Sequence, residues 1–294
     1  MLTFLLIRRL RRVLVLAPVA FVLCGAATAD AASARSLSNL SLRADVRNDT
    51  TVSSNWSGYA IGTSSPAASP TFTSVSGQWV QPTASCTSSP STYSAFWVGL
   101  GGFSDVSQAL EQIGTSADCT ASGKATYSMW YELVPAASVP IKFKVFPGNV
   151  ISASVKVSGT SVTVQIRNLT RKTKFTKTLR MSNPDTSTAE WVAEAPSACT
   201  ASGRCTQLPL TNFGTVTFTK ASATTTDGHT GTITDSAWPA TTIQLIEAAA
   251  RPFAGSPTTS TGAVPAALAS DGSAFAVIWE AAIPVPTEAT PPTP

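Results

Sequence analysis

Short stretches in which apolar and polar residues alternate run through the chain from about residue 53 onward. A period of two is typical of a β-strand with one buried and one solvated face. Ser, Thr, Gly, Pro and Asn separate these stretches, as expected of turns between strands. Amphipathic patterns of helical period are almost absent. The clearest alternating stretches are residues 75–80, 151–157, 161–166, 215–219 and 274–279.

Many short strands in about 230 residues predict an all-β fold, namely an antiparallel two-sheet β-sandwich of the jelly-roll or concanavalin-like kind. Residues 158–160, Ser-Gly-Thr, lie between two alternating stretches and predict a hairpin turn. Residues 173–179 predict a further strand whose lysines face solvent. Residues 243–250 suit a short helix or a strand, because their apolar pattern does not distinguish the two periods.

The N-terminus has the features of a secretory signal peptide. A basic cluster at residues 8–12 precedes an apolar stretch at 13–27, and Ala-Thr-Ala at 27–29 is a typical cleavage site. The apolar stretch has about 15 residues, which is short for a membrane span of about 20. We therefore expect residues 1–29 to be removed and the mature protein to be secreted, without a membrane anchor.

The remaining chain divides into three parts by composition. Residues 30–52 are rich in Ala, Ser, Arg and Asp without periodicity, which predicts a pro-segment or flexible arm. Residues 53–283 carry the alternating stretches and form the predicted β-sandwich domain. Residues 284–294 are rich in Pro and Thr, which predicts a disordered tail.

Charged residues are few, at 12% of the chain, and they are balanced after the signal peptide. The full sequence has 20 basic and 16 acidic residues, and without the four arginines of the signal the counts are 16 and 16. The mature chain therefore lacks the net basic charge that favours nucleic acid or an anionic membrane surface. We expect a monomer that binds neither.

Four cysteines remain after the signal peptide, which contains Cys24. An even number in an exported chain predicts disulfide bonds. Of the three possible pairings we favour Cys86–Cys119 together with Cys199–Cys205, because the second pair closes a short loop. A zinc site is the alternative, but the chain has no Cys-x-x-Cys pair and a single histidine.

The single histidine, His229, lies in a turn-like Asp-Gly-His-Thr-Gly segment. Catalytic centres of the Ser-His-Asp and Cys-His types would have to use it, and the sequence has no Gly-x-Ser-x-Gly or His-Glu-x-x-His motif. It also has no phosphate or dinucleotide loop, so we expect neither a metal nor a cofactor. Carboxylate chemistry remains, and the acids in apolar or aromatic surroundings are Glu111, Glu132, Glu190, Glu194 and Glu280.

Residues 188–194, Thr-Ala-Glu-Trp-Val-Ala-Glu, place two carboxylates around a tryptophan. In a strand, Glu190 and Glu194 share one face with Val192, and Trp191 points to the other face. One sheet surface can therefore present both carboxylates. A strand glutamate is more often a solvated residue, and the strand period does not choose between the two.

Several segments resemble motifs of the glutamic peptidases, or eqolisins, in family order. Residues 55–58, Asn-Trp-Ser-Gly, are similar to the family's start, and residues 96–102 are similar to its Trp-Val-Gly-Ile-Asp-Gly segment. Residues 110–114 are similar to its Leu-Gln-Thr-Gly, and residues 189–194 to its Ala-Glu-Trp-Ile-Val-Glu. Further similar segments are Gln-Trp-Val-Gln-Pro at 78–82, Trp-Tyr-Glu at 130–132 and Ser-Asp-Gly-Ser at 270–273.

The resemblance implies an acid-acting secreted endopeptidase that hydrolyses proteins or peptides without a cofactor. It places Glu190 on the family's catalytic Glu and Gln112 on its catalytic Gln. An ionised Glu190 would take a proton from a water and then protonate the leaving nitrogen, while the Gln112 amide stabilises the oxyanion. The residues expected around the substrate are Trp56 and Trp97 in the cleft wall, with Glu132 and Glu194 as supporting acids.

Two positions depart from the family pattern. Gly101 stands where the family has the Asp of Trp-Val-Gly-Ile-Asp-Gly, and Ser128 stands where it often has an acid before Trp-Tyr-Glu. Both acids would belong to the hydrogen-bonded support of the site. Their replacement bears on the pH optimum and on substrate preference.

Two other functions are open to a β-sandwich with these residues. A glycoside hydrolase would use paired carboxylates such as Glu132 and Glu190. A carbohydrate-binding protein without catalysis would use Trp56, Trp79 and Trp97 as a stacking platform. The Gln partner and the ordered motifs favour the peptidase, whereas fold alone does not choose among the three.

Overall fold

The computed structural model describes residues 50–62, 70–104, 107–200, 204–247 and 259–285, together with the backbone of a short strand at 43–45. The predicted signal peptide, most of the predicted arm and the chain beyond residue 285 lie outside these ranges. Within these ranges, every helix or strand that the structure contains is a β-strand, so no helix is present there.

Seven antiparallel strands form one sheet, which we call the front sheet. At one edge of this sheet, β2 (Thr50–Ser53) pairs in parallel with β17 (Ala240–Ile246), and β1 (Arg43–Asp45) pairs with β2. The folded domain therefore includes a strand that begins three residues before residue 53. In spatial order the front sheet consists of β8 (Val139–Ile141), β7 (Ala125–Val134), β6 (Leu110–Cys119), β5 (Ala95–Leu100), β12 (Thr188–Glu194), β3 (Trp56–Gly62) and β17 (Ala240–Ile246).

Seven more antiparallel strands form the back sheet. In spatial order they are β11 (Thr173–Arg180), β10 (Ser161–Asn168), β9 (Val150–Ser158), β4 (Phe72–Val80), β15 (Thr215–Thr225), β19 (Phe275–Pro284) and β18 (Thr259–Pro265). Strand β18 also pairs with β17, which joins the two sheets along one edge. The remaining short strands are β16 (Thr230–Gly231), paired with β15, and the hairpin of β13 (Ser197–Cys199) and β14 (Cys205–Gln207).

The predicted fold class, an all-β antiparallel sandwich, is confirmed. The alternating stretches lie in β4, β9, β10, β15 and β19, and residues 173–179 lie in β11. Residues 158–160 form the turn between β9 and β10, where Gly159 has a φ of 56°. The ambiguous segment 243–250 is a strand as far as residue 246, because β17 pairs with three neighbouring strands.

The main core fills the space between the two sheets. Inward side chains of both sheets form one buried cluster, which includes Val98 and Trp191 from the front sheet and Phe218 from the back sheet. Burial of apolar surface, at about 25 cal/mol per Å², is the main driving force for such a sandwich. The indole of Trp79 donates a 3.0 Å hydrogen bond to the Thr115 hydroxyl and so links the back sheet to the front sheet.

The outer face of the front sheet carries a second buried cluster. The strand period separates it from the main core, because Val192 of β12 lies in the outer cluster and its neighbour Trp191 lies in the core. This outer face is therefore apolar and covered, although it lies outside the two-sheet interior. Its members are Trp56, Ala60, Ala95, Trp97, Phe103, Leu110, Val134, Val192 and Ile243.

Both favoured disulfides are present. Cys86–Cys119 joins the segment after β4 to the end of β6, with Cα atoms 5.4 Å apart. Cys199–Cys205 closes the β13–β14 hairpin across a sequence separation of 6. By the loop-entropy relation the first stabilises the fold by roughly 4 kcal/mol and the second by roughly 2 kcal/mol.

The part of the chain that the structure describes contains no helix that is long and apolar enough to cross a membrane.

Close packing of β3 on β12 yields a stability prediction. Gly58 has a φ of 148°, and a Cβ there would overlap the backbone oxygen of Trp191. We expect Gly58→Ala to lower the free energy of unfolding by about 1–3 kcal/mol in chemical denaturation, since strands must separate to admit the methyl group.

The control for this prediction is Gly159→Asn. Gly159 lies in an open turn, where a Cβ would have no atom within 4 Å, and Asn tolerates its left-handed backbone. We expect this change to stay within about 0.5 kcal/mol. Equal losses for both variants would contradict the tight β3–β12 contact.

Candidate active site

Glu190 and Gln112 lie in one row of residues across the front sheet. Glu190 on β12 is paired with Gly99 on β5, and Gly99 is paired with Gln112 on β6. Residues in register point to the same face, so the carboxyl and the carboxamide share the outer face with no side chain between them. The sheet thus brings together the two residues that the motifs had singled out.

Gly99 is required where it stands. A Cβ at this position would lie 2.9 Å from the indole of Trp97 and 3.1 Å from the Leu110 side chain. The two apolar side chains therefore pack over the bare backbone. Gly99 thus contributes no side chain between Glu190 and Gln112, and the space above its backbone is filled by Trp97 and Leu110.

Gln112 is fully buried, and only one of its two polar side-chain atoms, Nε2, has a hydrogen-bond partner among the described residues. Its Nε2 donates a 2.9 Å hydrogen bond to Oε2 of Glu132, the residue paired with it on β7. Its Oε1 has no hydrogen-bond partner among the described residues. An amide nitrogen has two N–H groups, so one donor is held by Glu132 and one donor and the oxygen can face a bound substrate.

Glu190 is fully buried, and neither carboxyl oxygen has a hydrogen-bond partner in the described chain. Burial raises the pKa of this carboxyl well above its usual value of 4.5, because a low-polarity environment disfavours the charged form. The Thr188 hydroxyl lies near this carboxyl without meeting hydrogen-bond geometry and lowers the pKa to a smaller extent, whereas negative charge on the nearby acids Asp185 and Glu111 raises it further. Glu190 is therefore neutral at acidic pH.

The two predicted cleft tryptophans form one wall of the outer cluster. The rings of Trp56 and Trp97 meet edge to face with centroids 4.9 Å apart. The Trp97 indole donates a 2.7 Å hydrogen bond to Glu194, and the Asn55 side chain donates a 3.5 Å bond to the same carboxyl. Glu194 thus holds Trp97 in place from within the cluster, where it is 1% exposed.

Two further acids lie near the dyad strands. Glu111 precedes Gln112, and its Oε1 accepts a 3.2 Å hydrogen bond from the backbone N–H of Asp185. Burial raises the pKa of Glu111 to about 9, and the nearby Asp185 carboxylate raises it as well. Asp185 lies in a segment whose sequence is turn-like, and no pattern in the sequence connects it with Glu111 or Glu190.

Metal-binding groups are not assembled in the described ranges. No set of three or more His, Cys, Asp or Glu side chains there could hold a metal ion. His229 lies in the turn between β15 and β16 of the back sheet, 44% exposed at its side chain, with Nε2 3.0 Å from Asp235. The turn-like context predicted for this residue is therefore what the structure has.

The carbohydrate platform is not formed. Trp79 points into the main core, whereas Trp56 and Trp97 lie on the outer face of the front sheet. All three are buried, with exposures of 1%, 2% and 0%. A stacking surface needs exposed rings on one face, so this alternative is wrong for the described structure.

The chain belongs to the peptidase A4 family, because the model of that family matches residues 54–264. This match confirms the resemblance to the glutamic peptidases seen in the motifs. It also makes the chain a peptidase with a β-sandwich fold.

Solved glutamic peptidases have the same architecture. The crystal structure of scytalidoglutamic peptidase with a peptide-based transition-state analogue matches with 27% identity and a TM-score of 0.58, over 77% of this chain and 98% of that one. SCP-B, an eqolisin in complex with a tripeptide, matches with 27% identity and a TM-score of 0.55 over the same shares. No curated protein sequence matched the chain.

The buried Glu111 carboxyl yields a prediction of pH-dependent stability. Below about pH 4.5 this group is protonated in the folded and unfolded chains alike, so it does not affect stability there. Between pH 4.5 and about 9 only the unfolded chain ionises, so stability falls as pH rises, by about 1.4 kcal/mol per unit.

Glu111→Gln should flatten this dependence, because the amide oxygen can still accept the Asp185 N–H and cannot ionise. Urea unfolding at pH 4, 6 and 8 would measure it. Glu280→Gln, at an exposed position of β19, should leave the wild-type slope unchanged. A Glu111→Gln slope equal to that of the wild type would show that Glu111 is not a buried neutral acid.

Proposed function

We propose that this protein is a secreted endopeptidase that cleaves peptide bonds in proteins at acidic pH, with Glu190 and Gln112 as its catalytic residues. The observation that supports this most is the polar row in an apolar, buried face. Glu190 has two oxygens without partners, and Gln112, two strands away in the same row, has an oxygen and an N–H available. A peptide group and a water together offer the donors and acceptors that these atoms lack.

The protonation state of Glu190 determines the first step. The sequence alone suggested an ionised carboxylate, but burial raises its pKa, so we take the neutral acid as the active form at acidic pH. One carboxyl oxygen accepts a proton from the attacking water, while the hydroxyl of the same group gives its proton to the scissile carbonyl oxygen. The water oxygen bonds to the carbonyl carbon, and Glu190 remains neutral.

The second step breaks the C–N bond. Glu190 donates its proton to the leaving nitrogen, and its other oxygen accepts a proton from one hydroxyl of the tetrahedral intermediate. The products are a carboxylic acid and an amine, and the enzyme regains its starting state. The protons balance with Glu190 as the only exchanging group.

Gln112 acts on the developing charge of the carbonyl oxygen. Its second N–H can donate to that oxygen, whereas the first is held by Glu132. Removal of one such donor in other hydrolases costs about 2.7–4 kcal/mol of barrier stabilisation. Glu132 fixes which end of the carboxamide presents nitrogen, so we assign it a positioning role.

Export is part of the proposal. The N-terminal signal pattern supports it, and the two disulfides are typical of proteins that fold in an oxidising compartment. Substrates outside the cell would then be proteins or peptides whose backbone can reach the outer face of the front sheet.

Substitution of the dyad tests its role directly. We expect Glu190→Gln to lower the cleavage rate of a denatured protein by at least about 100-fold, because the amide cannot exchange protons. We expect Gln112→Ala to lower kcat by about 100-fold to 1,000-fold through loss of the donor. Glu280→Gln is the exposed control, and both dyad variants should melt as cooperatively as the wild type.

Full activity in either dyad variant would overturn the mechanism. A panel of polysaccharides assayed in parallel tests the remaining alternative, a glycoside hydrolase. Cleavage of glycans but not of proteins would identify the carboxylate pair Glu132 and Glu190 as a glycosidase centre instead.

The pH profile tests which form of Glu190 is active. If the neutral acid is active, kcat is retained at acidic pH and falls as pH rises through the raised pKa of Glu190. This fall in kcat should persist in Glu111→Gln, a variant that loses less folding stability than the wild type over the same pH range. A rate that increases from pH 4 to pH 7 in folded enzyme would show that ionised Glu190 is the base.

A further inference from the structure

A side chain at position 101 and the side chain of Asp185 would occupy the same space. Gly101 follows β5 with a φ of 78°, and a Cβ added to it would lie 2.5 Å from Cβ and 2.8 Å from Cγ of Asp185. The side chain of Asp185 therefore fills the space that a side chain at 101 would take. The resemblance expects an Asp at position 101, and a different Asp, 84 residues later, brings its carboxyl to that place.

The Asp185 carboxylate connects two segments of the chain. One oxygen accepts hydrogen bonds from the Ser107 hydroxyl and from the Gly102 N–H, the latter at 3.4 Å. The other oxygen accepts from the Ser187 N–H at 2.9 Å and from its hydroxyl at 2.7 Å. Ser107 and Gly102 belong to the connection between β5 and β6, and Ser187 belongs to the segment that leads into β12.

These two segments carry the dyad. Gln112 is the third residue of β6, and Glu190 is the third residue of β12. A backbone hydrogen bond of 3.0 Å from the Gly101 N–H to the Thr188 oxygen joins the same ends. A shift of the β5–β6 connection against β12 would therefore move the carboxamide relative to the carboxyl.

We propose that Asp185 is a positioning residue for the dyad and that it replaces the acid missing at Gly101, an inference that rests on the proposed function. Its carboxylate locks the start of β6 to the start of β12, which sets the spacing of Gln112 and Glu190. Glu111 belongs to the same arrangement, because it accepts the Asp185 N–H and sits one residue before Gln112.

The charge of Asp185 also acts on Glu190. A negative charge nearby disfavours ionisation and raises the pKa of Glu190, in the same direction as burial and Glu111. Loss of that charge should therefore lower the pKa of Glu190. The titratable groups on the elements around Glu190 are Asp185, Glu111 on β6, Glu132 on β7, Glu194 on β12 and Tyr59 on β3.

Asp185→Asn tests the proposal with little change in size. We expect kcat to fall by about 10-fold to 100-fold, as misplacement of reacting groups does in other enzymes, with KM nearly unchanged. We also expect the alkaline limb of the kcat profile to move to lower pH. A turn that is merely structural would alter the melting temperature without moving that limb.

Asp271→Asn is the matched control. Asp271 accepts the N–H and hydroxyl of Ser273 at 3.0 and 2.8 Å, the same pattern that Asp185 makes with Ser187, but in an exposed turn of the back sheet. We expect its kcat and pH profile to equal those of the wild type. An Asp185→Asn enzyme with wild-type kcat and an unmoved limb would overturn the proposal.

Relocation of the carboxyl tests whether the two positions are equivalent. Asp185→Gly removes the Cβ and Cγ atoms that lie 2.5 and 2.8 Å from a Cβ at position 101, but the backbone oxygen of residue 185, also at 2.8 Å, remains, so this peptide group must shift to admit the new side chain. Asp tolerates a positive φ better than most residues. The double variant Gly101→Asp with Asp185→Gly should recover at least part of the kcat lost in Asp185→Gly alone. Gly101→Asp alone should be less stable than the wild type because its side chain meets that of Asp185.

The outcomes separate this inference from the proposed function. An active wild-type enzyme, an inactive Glu190→Gln and an unaffected Asp185→Asn would overturn the role of Asp185 and leave the dyad in place. A fully active Glu190→Gln would overturn the dyad itself. A folded double variant no more active than Asp185→Gly would overturn the equivalence of positions 101 and 185.

Discussion

The buried carboxyl of Glu190, with no protein partner for either oxygen among the described residues, is the constraint on which the rest of the site depends. An isolated ionised carboxylate in low-polarity surroundings would cost more than the whole stability of a typical domain, so the group takes up a proton instead. The neutral acid can both give and accept a proton, which is what amide hydrolysis at acidic pH requires. The same burial that makes Glu190 reactive also makes the fold less stable as pH rises, because the buried Glu111 and the half-buried Asp118 have raised pKa values as well, about 9 and about 7.

The front sheet holds this unfavourable group within a buried, tightly packed face, in which Oε1 of Gln112 and Oε2 of Glu111 also lack a partner among the described residues. Gly99 contributes no side chain to the row between Glu190 and Gln112, and the side chains of Trp97 and Leu110 pack over its backbone. Glu194 accepts from the Trp97 indole, so the second carboxyl of the β12 motif serves packing of the wall. Two glutamates on one strand face thus have different environments: one is paired with an indole and the other is unpaired.

Much of this could be predicted from the sequence, and the rest depends on contacts between distant segments. Strand alternation was sufficient for the all-β class because one residue in two faces the core, although the five clearest stretches all lie in the back sheet. The order of the motifs selected Glu190 and Gln112, whose catalytic role stays a prediction. Alternation does not say which face of a strand is the outer one, so Trp79 was grouped with Trp56 and Trp97 although it points into the core. The contact of Asp185 with the turn after Gly101 could not be predicted, because it depends on how β12 lies beside β5, and no local pattern encodes that register.

The most direct test of the central claim is to titrate Glu190 itself. Infrared difference spectra of the wild type against Glu190→Gln, recorded from pH 3 to 8, isolate the C=O band of this one protonated carboxyl. We predict a band that persists well above pH 4.5 and that disappears over the same pH range as kcat falls. A Glu190 carboxyl that ionises at or below its usual pKa in folded, active enzyme would contradict the neutral-acid mechanism.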